Sequence, residues 1–187
     1  VSISERAKTE VFYNEFCKRA LQFYRNSGMQ LEEFDELEKG LIRKYLANFS
    51  IFQSAPDSWA VDQLFPVMPI HRLKEEPTRR GILLDLTCDS DGKMDRFIDV
   101  KDVKESLELH APKEGEEYFV GMFLVGAYQE ILGDFHNLFG DTDAVHVSLT
   151  NGGYSIDHVI EGDTVNEVLS YVQYDRPTLI RKIREAI

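Results

Sequence analysis

The chain begins with two segments whose apolar residues recur at helical spacing. In residues 2–27 the apolar positions form one stripe of a helix, and they are Phe12, Phe16, Ala20 and Phe23. Ser2 and Glu5 fit a capping box, in which each side chain bonds a free backbone N–H of the other residue. A second helix is predicted over about residues 30–47, with Leu31, Phe34, Leu37, Leu41 and Tyr45 on its inner face. We expect the two helices to form an antiparallel hairpin.

From residue 48 onward the apolar residues recur every second position, which is typical of β-strands. The segment 62–70 carries two prolines, so it is predicted as an edge strand or an irregular extended segment. Asn151-Gly152-Gly153 separates two alternating runs and predicts a β-hairpin. The predicted strands are residues 49–54, 81–87, 96–102, 118–125, 144–149 and 154–160. Short helices are predicted over 128–137, from a capping box at Thr164 and Glu167 through Tyr171, and from near Pro177 to the end.

This order of elements predicts an α+β fold, mainly β with helices at both ends of an antiparallel sheet or barrel. The 187 residues suit one domain, or one domain with a helical appendage. We therefore expect a helical pair over 1–47 and a β-domain with C-terminal helices over 48–187.

Composition limits the classes of function. The 33 acidic against 21 basic residues give a formal charge of −12, which argues against a nucleic-acid partner but suits a cationic small molecule. Two cysteines in unrelated contexts, Cys17 and Cys88, predict free thiols and a cytoplasmic, reducing setting. Cys17 is predicted as a small buried hydrophobe. No apolar run reaches the roughly 20 residues of a membrane span, and the start suggests a segment of a longer protein.

The candidate chemistry follows the strand 81–87, where Cys88 lies among the acids Asp89, Asp91 and Asp95. A calcium loop with Gly92 in sixth place would start at Thr87 and end at Ile98, so it lacks its essential ligands. No histidine has a zinc-type spacing to either cysteine. Two interpretations remain for Cys88: a buried structural thiol beside a turn-forming Asp, or an accessible thiol that exchanges protons. The neighbouring carboxylates disfavour a thiolate, so a neutral thiol acting as an acid is the favoured functional form.

Tyr128 lies in Gly126-Ala127-Tyr128, between a β-type run and a predicted helix. A phenol beside the N–H groups of a helix start suits an anionic phosphate. The alternative is a tyrosine that caps the core.

Four separated motifs resemble the carboxyl-terminal part of bacterial biosynthetic arginine decarboxylases, and more distantly ornithine and diaminopimelate decarboxylases. They are residues 48–54 (NFSIFQS), 62–69 (DQLFPVMP), 85–92 (DLTCDSDG) and 126–142 (GAYQEILGDFHNLFGDT). The resemblance implies a pyridoxal-phosphate enzyme of the alanine-racemase-like type, with an N-terminal α/β barrel that carries the Schiff-base lysine and a C-terminal β-barrel. This chain would match only the β-barrel domain, over 48–187, and the helical insertion before it, over 1–47.

The resemblance also implies a role for each candidate residue. Cys88 would protonate the substrate carbon after carbon dioxide leaves, Asp89 and Asp62 would bind the basic end of the substrate, and Tyr128 would bond the cofactor phosphate. In this family the Cys and Asp reach across a dimer interface, whereas the Tyr serves its own subunit. His136 lies near a position that is aromatic in ornithine decarboxylases, and its role is left open. Magnesium is commonly needed in the family, but the sequence shows no ligand set for it.

The expected function is one part of an arginine decarboxylase that forms agmatine for polyamine and spermidine biosynthesis, in a homodimer or higher oligomer. The chain alone is expected to be inactive and to expose apolar surface that the missing barrel would cover. One alternative is a non-catalytic assembly or regulatory β-domain derived from such an enzyme. Another is a cytoplasmic β-domain with no site, in which Cys88 would be buried and slow to react with thiol reagents.

Overall fold

The computed structural model describes residues 2–27 and 32–187, which form a mixture of helices and short strands. The helices are α1 (Ile3–Ser27), α2 (Glu32–Gly40), α3 (Ile51–Ser54), α4 (Pro56–Ala60), α5 (Ala127–Gly133), α6 (Val165–Tyr171) and α7 (Arg176–Ala186), with a 3₁₀ turn at His136–Leu138. The strands are β1 (Arg43–Leu46), β2 (Val67–Pro69), β3 (Arg79–Leu84), β4 (Lys93–Met94), β5 (Phe97–Ile98), β6 (Val103–Lys104), β7 (Leu107–Leu109), β8 (Val120–Met122), β9 (Ala144–Thr150) and β10 (Gly153–Ile160).

The first predicted helix is confirmed as α1, and its predicted cap is present. The Ser2 backbone N–H donates to the Glu5 carboxylate at 2.8 Å, and the Glu5 N–H donates to the Ser2 hydroxyl at 3.2 Å. The Ser2 N–H and the Ser2 hydroxyl both donate to the Glu5 carboxylate, and these two bonds lower the pKa of Glu5 from its ordinary value. Helix α1 meets α2 where the rings of Tyr24 and Phe34 stack at 4.2 Å, as a helical pair requires. The predicted helix end at Gly28 and the start of the second helix at Leu31 lie outside the described residues.

The second helix was predicted to continue to residue 47, and this is wrong after Gly40, because residues 43–46 form β1. Tyr45 on this strand packs against Gly81, where an added Cβ would lie 2.6 Å from the tyrosine ring. Its hydroxyl donates to the His110 carbonyl at 3.1 Å, and burial raises its pKa. The partners of Tyr45, Gly81 and His110, are distant in the sequence, so the local helical pattern of residues 30–47 could not reveal these contacts.

The strand predicted over 49–54 is also wrong, because residues 51–54 form the short helix α3. The Ser50 hydroxyl accepts from the Gln53 N–H at 3.2 Å, a normal helix N-cap. Pro56 then starts α4, where its missing N–H costs nothing. The prediction failed because a short apolar run such as Ile51-Phe52 is compatible with a short buried helix as well as with a strand.

The described residues up to Tyr45, with Val67–Leu83 and Asp95–Gly121, form one compact unit. In it β3 pairs antiparallel with β7, with Gly81 opposite Leu107, and β1 belongs to the same sheet. Of the strand predicted over 96–102, only Phe97–Ile98 forms a strand, β5, and it pairs antiparallel with β6 just beyond the predicted range. Strand β2 occupies Val67–Pro69, the later part of the segment 62–70 that was predicted as an edge strand or extended, and β8 is shorter than the predicted run 118–125. The core of this unit is apolar, with Leu83, Phe97, Leu107 and Leu109 buried. Cys17 is also buried, as predicted.

Leu46–Pro66, Leu84–Met94 and Met122–Ile187 form the second compact unit. The predicted hairpin is confirmed as β9 and β10. The predicted capping box at Thr164 and Glu167 starts α6, and Asp175 caps α7 with Pro177 in its first turn.

One face of the β9–β10 hairpin is apolar and exposed. Leu149 pairs with Tyr154 and Val147 pairs with Ile156 across the ladder, and between 54% and 91% of each of these residues is exposed. Four large apolar side chains are therefore exposed side by side on this face of the hairpin.

The predicted α+β class is confirmed, since helices and antiparallel strands both occur in the described residues. Their sheets are one of four strands and three of two strands, without a closed barrel within 2–27 and 32–187. The barrel detail of the prediction is therefore unconfirmed, and the predicted division at residue 47 stays a prediction. No helix in the described part of the chain is both long and apolar enough to cross a membrane.

Candidate active site

All four predicted site residues belong to the second compact unit. Asp62 follows α4, Cys88 and Asp89 lie in the loop before β4, and Tyr128 is the second residue of α5. Among the described residues, no hydrogen bond joins Cys88, Asp89 and Tyr128 to one another. The exposed residues lie on three segments, one with Cys88 and Asp89, one with Tyr128 and one with Asp62, so the packing of these segments decides how the site is built.

The loop that carries Cys88 and Asp89 is closed by backbone hydrogen bonds. The Asp85 N–H donates to the Gly92 carbonyl at 2.8 Å, and the Gly92 N–H donates to the Asp89 carbonyl at 3.1 Å. Cys88 is a free, exposed thiol. The prediction of an accessible Cys88 is confirmed, and the alternative of a buried structural thiol is wrong.

Asp85, which the sequence did not single out, holds this loop. Only 5% of Asp85 is exposed, and its carboxylate accepts the Ile51 N–H at 3.0 Å, the Thr87 N–H at 2.9 Å and the Thr87 hydroxyl at 2.7 Å. Burial of a carboxylate is tolerated only where hydrogen bonds satisfy its oxygens. Asp85 therefore ties the loop to the first N–H of α3. Its position directly after the apolar run 82–84 is the sequence signal that could have indicated burial.

Gly92 is required by this arrangement, because an added Cβ would lie 2.1 Å from Asp85 Oδ1 and 2.6 Å from the Thr87 hydroxyl. We expect Gly92→Ala to destabilise the chain by about 1–3 kcal/mol, because Asp85 would have to leave its donors. Urea denaturation of the two proteins measures the difference. Gly40→Ala is the matched control, since a Cβ there meets no atom within 4 Å. Equal midpoints for Gly92→Ala and the unsubstituted chain would contradict the role of Asp85.

The segment after α5 lies against the same loop and the same short helix. The Asn137 amide donates to Asp89 Oδ2 at 3.5 Å. The His136 ring stacks on Phe52 of α3 at 4.9 Å between ring centroids, and Phe52 is buried. The role of His136 was left open by the sequence; the structure gives its ring a packing contact with α3.

Helix α5 is fixed against α3 and α4. Gln129 is buried; its side-chain oxygen accepts the Asp57 N–H at 3.0 Å and its side-chain amide donates to the Asp57 carboxylate at 2.6 Å. Gly133 lies so close to α3 that an added Cβ would be 1.9 Å from the Gln53 carbonyl oxygen. Tyr128 is therefore carried by a helix whose position is set by buried contacts.

Tyr128 itself is 75% exposed, and its hydroxyl has no hydrogen-bond partner among the described residues. The residue before the helix, Gly126, brings no side chain to cap the first N–H groups. The alternative in which Tyr128 caps the core is wrong. The arrangement leaves a phenol and helix-terminal N–H groups open to solvent, which suits an anionic group.

Asp62 is exposed and adopts a left-handed backbone conformation, with φ at 56°. Aspartate tolerates this conformation better than most residues, which allows the chain to turn sharply after α4. The described residues contain no group of three or more His, Cys, Asp or Glu side chains arranged to hold a metal ion.

Comparisons with known proteins identify close relatives. The chain is 59% identical to the biosynthetic arginine decarboxylase of Nostoc sp. over 98% of its own length and 27% of the relative. It is 56% identical to that of Thermosynechococcus vestitus over 98% of its length and 29% of the relative. No protein-family model matches the chain.

A solved structure supports the same relationship. The crystal structure of the biosynthetic arginine decarboxylase SpeA from Campylobacter jejuni aligns with 91% of this chain and 30% of the solved one, at a TM-score of 0.64 and 36% identity. The chain thus spans less than a third of the length of the curated relatives that it matches. The resemblance found in the four sequence motifs is confirmed.

Proposed function

We propose that this chain, which is related over nearly its whole length to one segment of biosynthetic arginine decarboxylases, supplies the proton donor and the substrate-binding acids of such an enzyme. The whole protein would convert arginine to agmatine and carbon dioxide in polyamine biosynthesis. The observation that carries the proposal is the exposed Cys88-Asp89 loop, held by the buried Asp85, in a chain with this degree of identity.

The substrate of this reaction carries a guanidinium group at its distal end. Carboxylates bind a guanidinium through charge-assisted hydrogen bonds, often two in parallel. In the proposed function, Asp89 and Asp62 bind the guanidinium of the substrate. The net charge of −12 favours the approach of a cation. The thiol of Cys88 then donates its proton to the substrate carbon that has lost carbon dioxide.

Pyridoxal phosphate would supply the electron withdrawal that this decarboxylation needs. The residues present fit one part of that group: the exposed Tyr128 hydroxyl and the uncapped start of α5 can donate to its phosphate. The lysine that forms the Schiff base belongs to the barrel of the whole protein and is not assigned to this chain. No magnesium role is assigned, since the described residues offer no ligand group.

The assembly proposed here is a homodimer or higher oligomer in which Cys88 and Asp89 serve the partner's barrel and Tyr128 serves its own. Residues 1–47 would be the helical insertion and 48–187 the β-barrel domain of the whole enzyme. Free thiols at Cys17 and Cys88 suit the cytoplasm.

The test is a substrate panel on the full-length protein. Purified enzyme with pyridoxal phosphate receives arginine, ornithine or lysine, and carbon dioxide release and the amine product are measured. We expect agmatine from arginine, with far slower release from the shorter and the guanidinium-free substrates. Comparable rates with ornithine, or no release from arginine, would contradict the proposed function.

A further inference from the structure

Asn137 is the one side chain that bonds the Asp89 carboxylate among the described residues. We infer that Asn137 is a positioning residue, whose amide orients Asp89 toward the distal cation of the substrate. The inference rests on the proposed function, in which Asp89 binds that cation.

The contact holds one oxygen of Asp89 and leaves the other open. The Asn137 Nδ2 donates to Asp89 Oδ2 at 3.5 Å, whereas Oδ1 has no hydrogen-bond partner among the described residues. Because the amide is neutral, it orients the carboxylate without cancelling its charge. A lysine or arginine in its place would instead compete with the substrate for both oxygens.

The backbone at Asn137 is in a conformation that few residues adopt. Asn137 has φ 57° and ψ 25°, and the next residue, Leu138, also has a positive φ of 60°. Asparagine is among the residues that tolerate this left-handed conformation best, and Leu does so poorly. Such backbone conformations persist where the surroundings determine them, and they concentrate at binding sites.

A backbone hydrogen bond of the turn and a ring contact hold the backbone of Asn137 in this conformation. The Leu138 N–H donates to the Phe135 carbonyl at 2.9 Å, and His136, beside Asn137, stacks on the buried Phe52. The side chain of Asn137 is therefore directed at Asp89 by a fixed backbone.

Both partners of the contact are held by two adjacent residues of α3. Ile51 donates its N–H to Asp85, which closes the loop that carries Asp89. Phe52, the next residue, packs against the residue beside Asn137. One short helix thus sets the distance between donor and acceptor, which are 48 positions apart in the chain. A hydrogen bond built in this way keeps the carboxylate oriented before the substrate arrives.

The test uses Asn137→Gly in the full-length enzyme. Glycine adopts the left-handed conformation freely, so this variant removes the amide and keeps the turn. We expect KM for arginine to rise about three- to fivefold, because the contact that is lost is a long, exposed hydrogen bond of 3.5 Å, with kcat nearly unchanged. Leu138→Gly is the matched control: it relaxes the same backbone, leaves the amide in place and is expected to keep KM.

A double-mutant cycle separates positioning from a structural effect. In an Asp89→Ala enzyme, Asn137→Gly is expected to leave KM without a further rise, because the group that it orients is gone. An unchanged KM in the single Asn137→Gly variant, an equal rise in Leu138→Gly, or a full further rise in the double variant would each overturn the inference. If Asp89→Ala itself leaves KM unchanged, the proposed role of Asp89 fails instead.

Discussion

Under the proposed function, the full-length protein with Cys88→Ala is expected to lose kcat for agmatine formation by about a hundredfold or more, because a general acid placed in reach of the reacting atom contributes about 10²–10⁴-fold. Cys88 is suited to this role since its thiol is exposed at the end of a loop with a fixed backbone. Cys17→Ala is the matched control, as that thiol is buried in α1. The rate of agmatine formation under saturating arginine gives kcat for both variants. Equal kcat for Cys88→Ala and the unsubstituted enzyme would remove Cys88 from the reaction.

The same variant tests whether the site is shared between subunits. If Cys88 serves the partner's barrel and Tyr128 its own, a mixed dimer of Cys88→Ala and Tyr128→Ala subunits contains one fully unsubstituted site. Random reassociation in a twofold-symmetric dimer should then restore about one quarter of the activity. Mixing should restore nothing if both residues serve the same barrel, because every site would then carry one substitution.

The second large effect is expected at Asp89. Asp89→Asn should lower kcat/KM for arginine by about a hundredfold, since bonds between a carboxylate and a guanidinium are among the strongest hydrogen bonds in proteins. The loss should fall mainly on KM, because binding of the distal cation precedes the chemistry. Steady-state kinetics with arginine measure it.

Asp91→Asn is the control for this prediction. Asp91 lies two residues away in the same exposed loop, so its substitution removes the same charge from the same surface. We expect it to change kcat/KM by about threefold at most, through weaker long-range attraction that added salt screens. Equal losses in the two variants would show that Asp89 acts only through the overall field.

Local signals in the sequence predicted local structure correctly. The capping boxes at Ser2 and Thr164 and the Asn-Gly-Gly hairpin are all present, because each depends on residues within a few positions of one another. The segments 43–46 and 51–54 were predicted wrongly. Their conformations depend on Tyr45 packing against Gly81 and on Asp85 capping Ile51, both more than thirty positions away.

The candidate site shows the same division. Motif resemblance located Cys88, Asp89, Asp62 and Tyr128, and the structure leaves Cys88 and Tyr128 exposed as that reading requires. The resemblance assigned no role to Asp85, Gln129 or Asn137, although they lie within its motifs, because their importance lies in the buried or distant groups that they bond.

The sequence by itself determined the relationship of this chain to arginine decarboxylases and the residues that carry reactive or charged groups. Only the tertiary structure decided how those groups are held. Helix α3 binds Asp85 through the Ile51 N–H and stacks Phe52 on His136, and so brings Asp89 and Asn137 into contact. No periodicity or spacing encodes that contact, because its two residues are joined through the packing of a third segment.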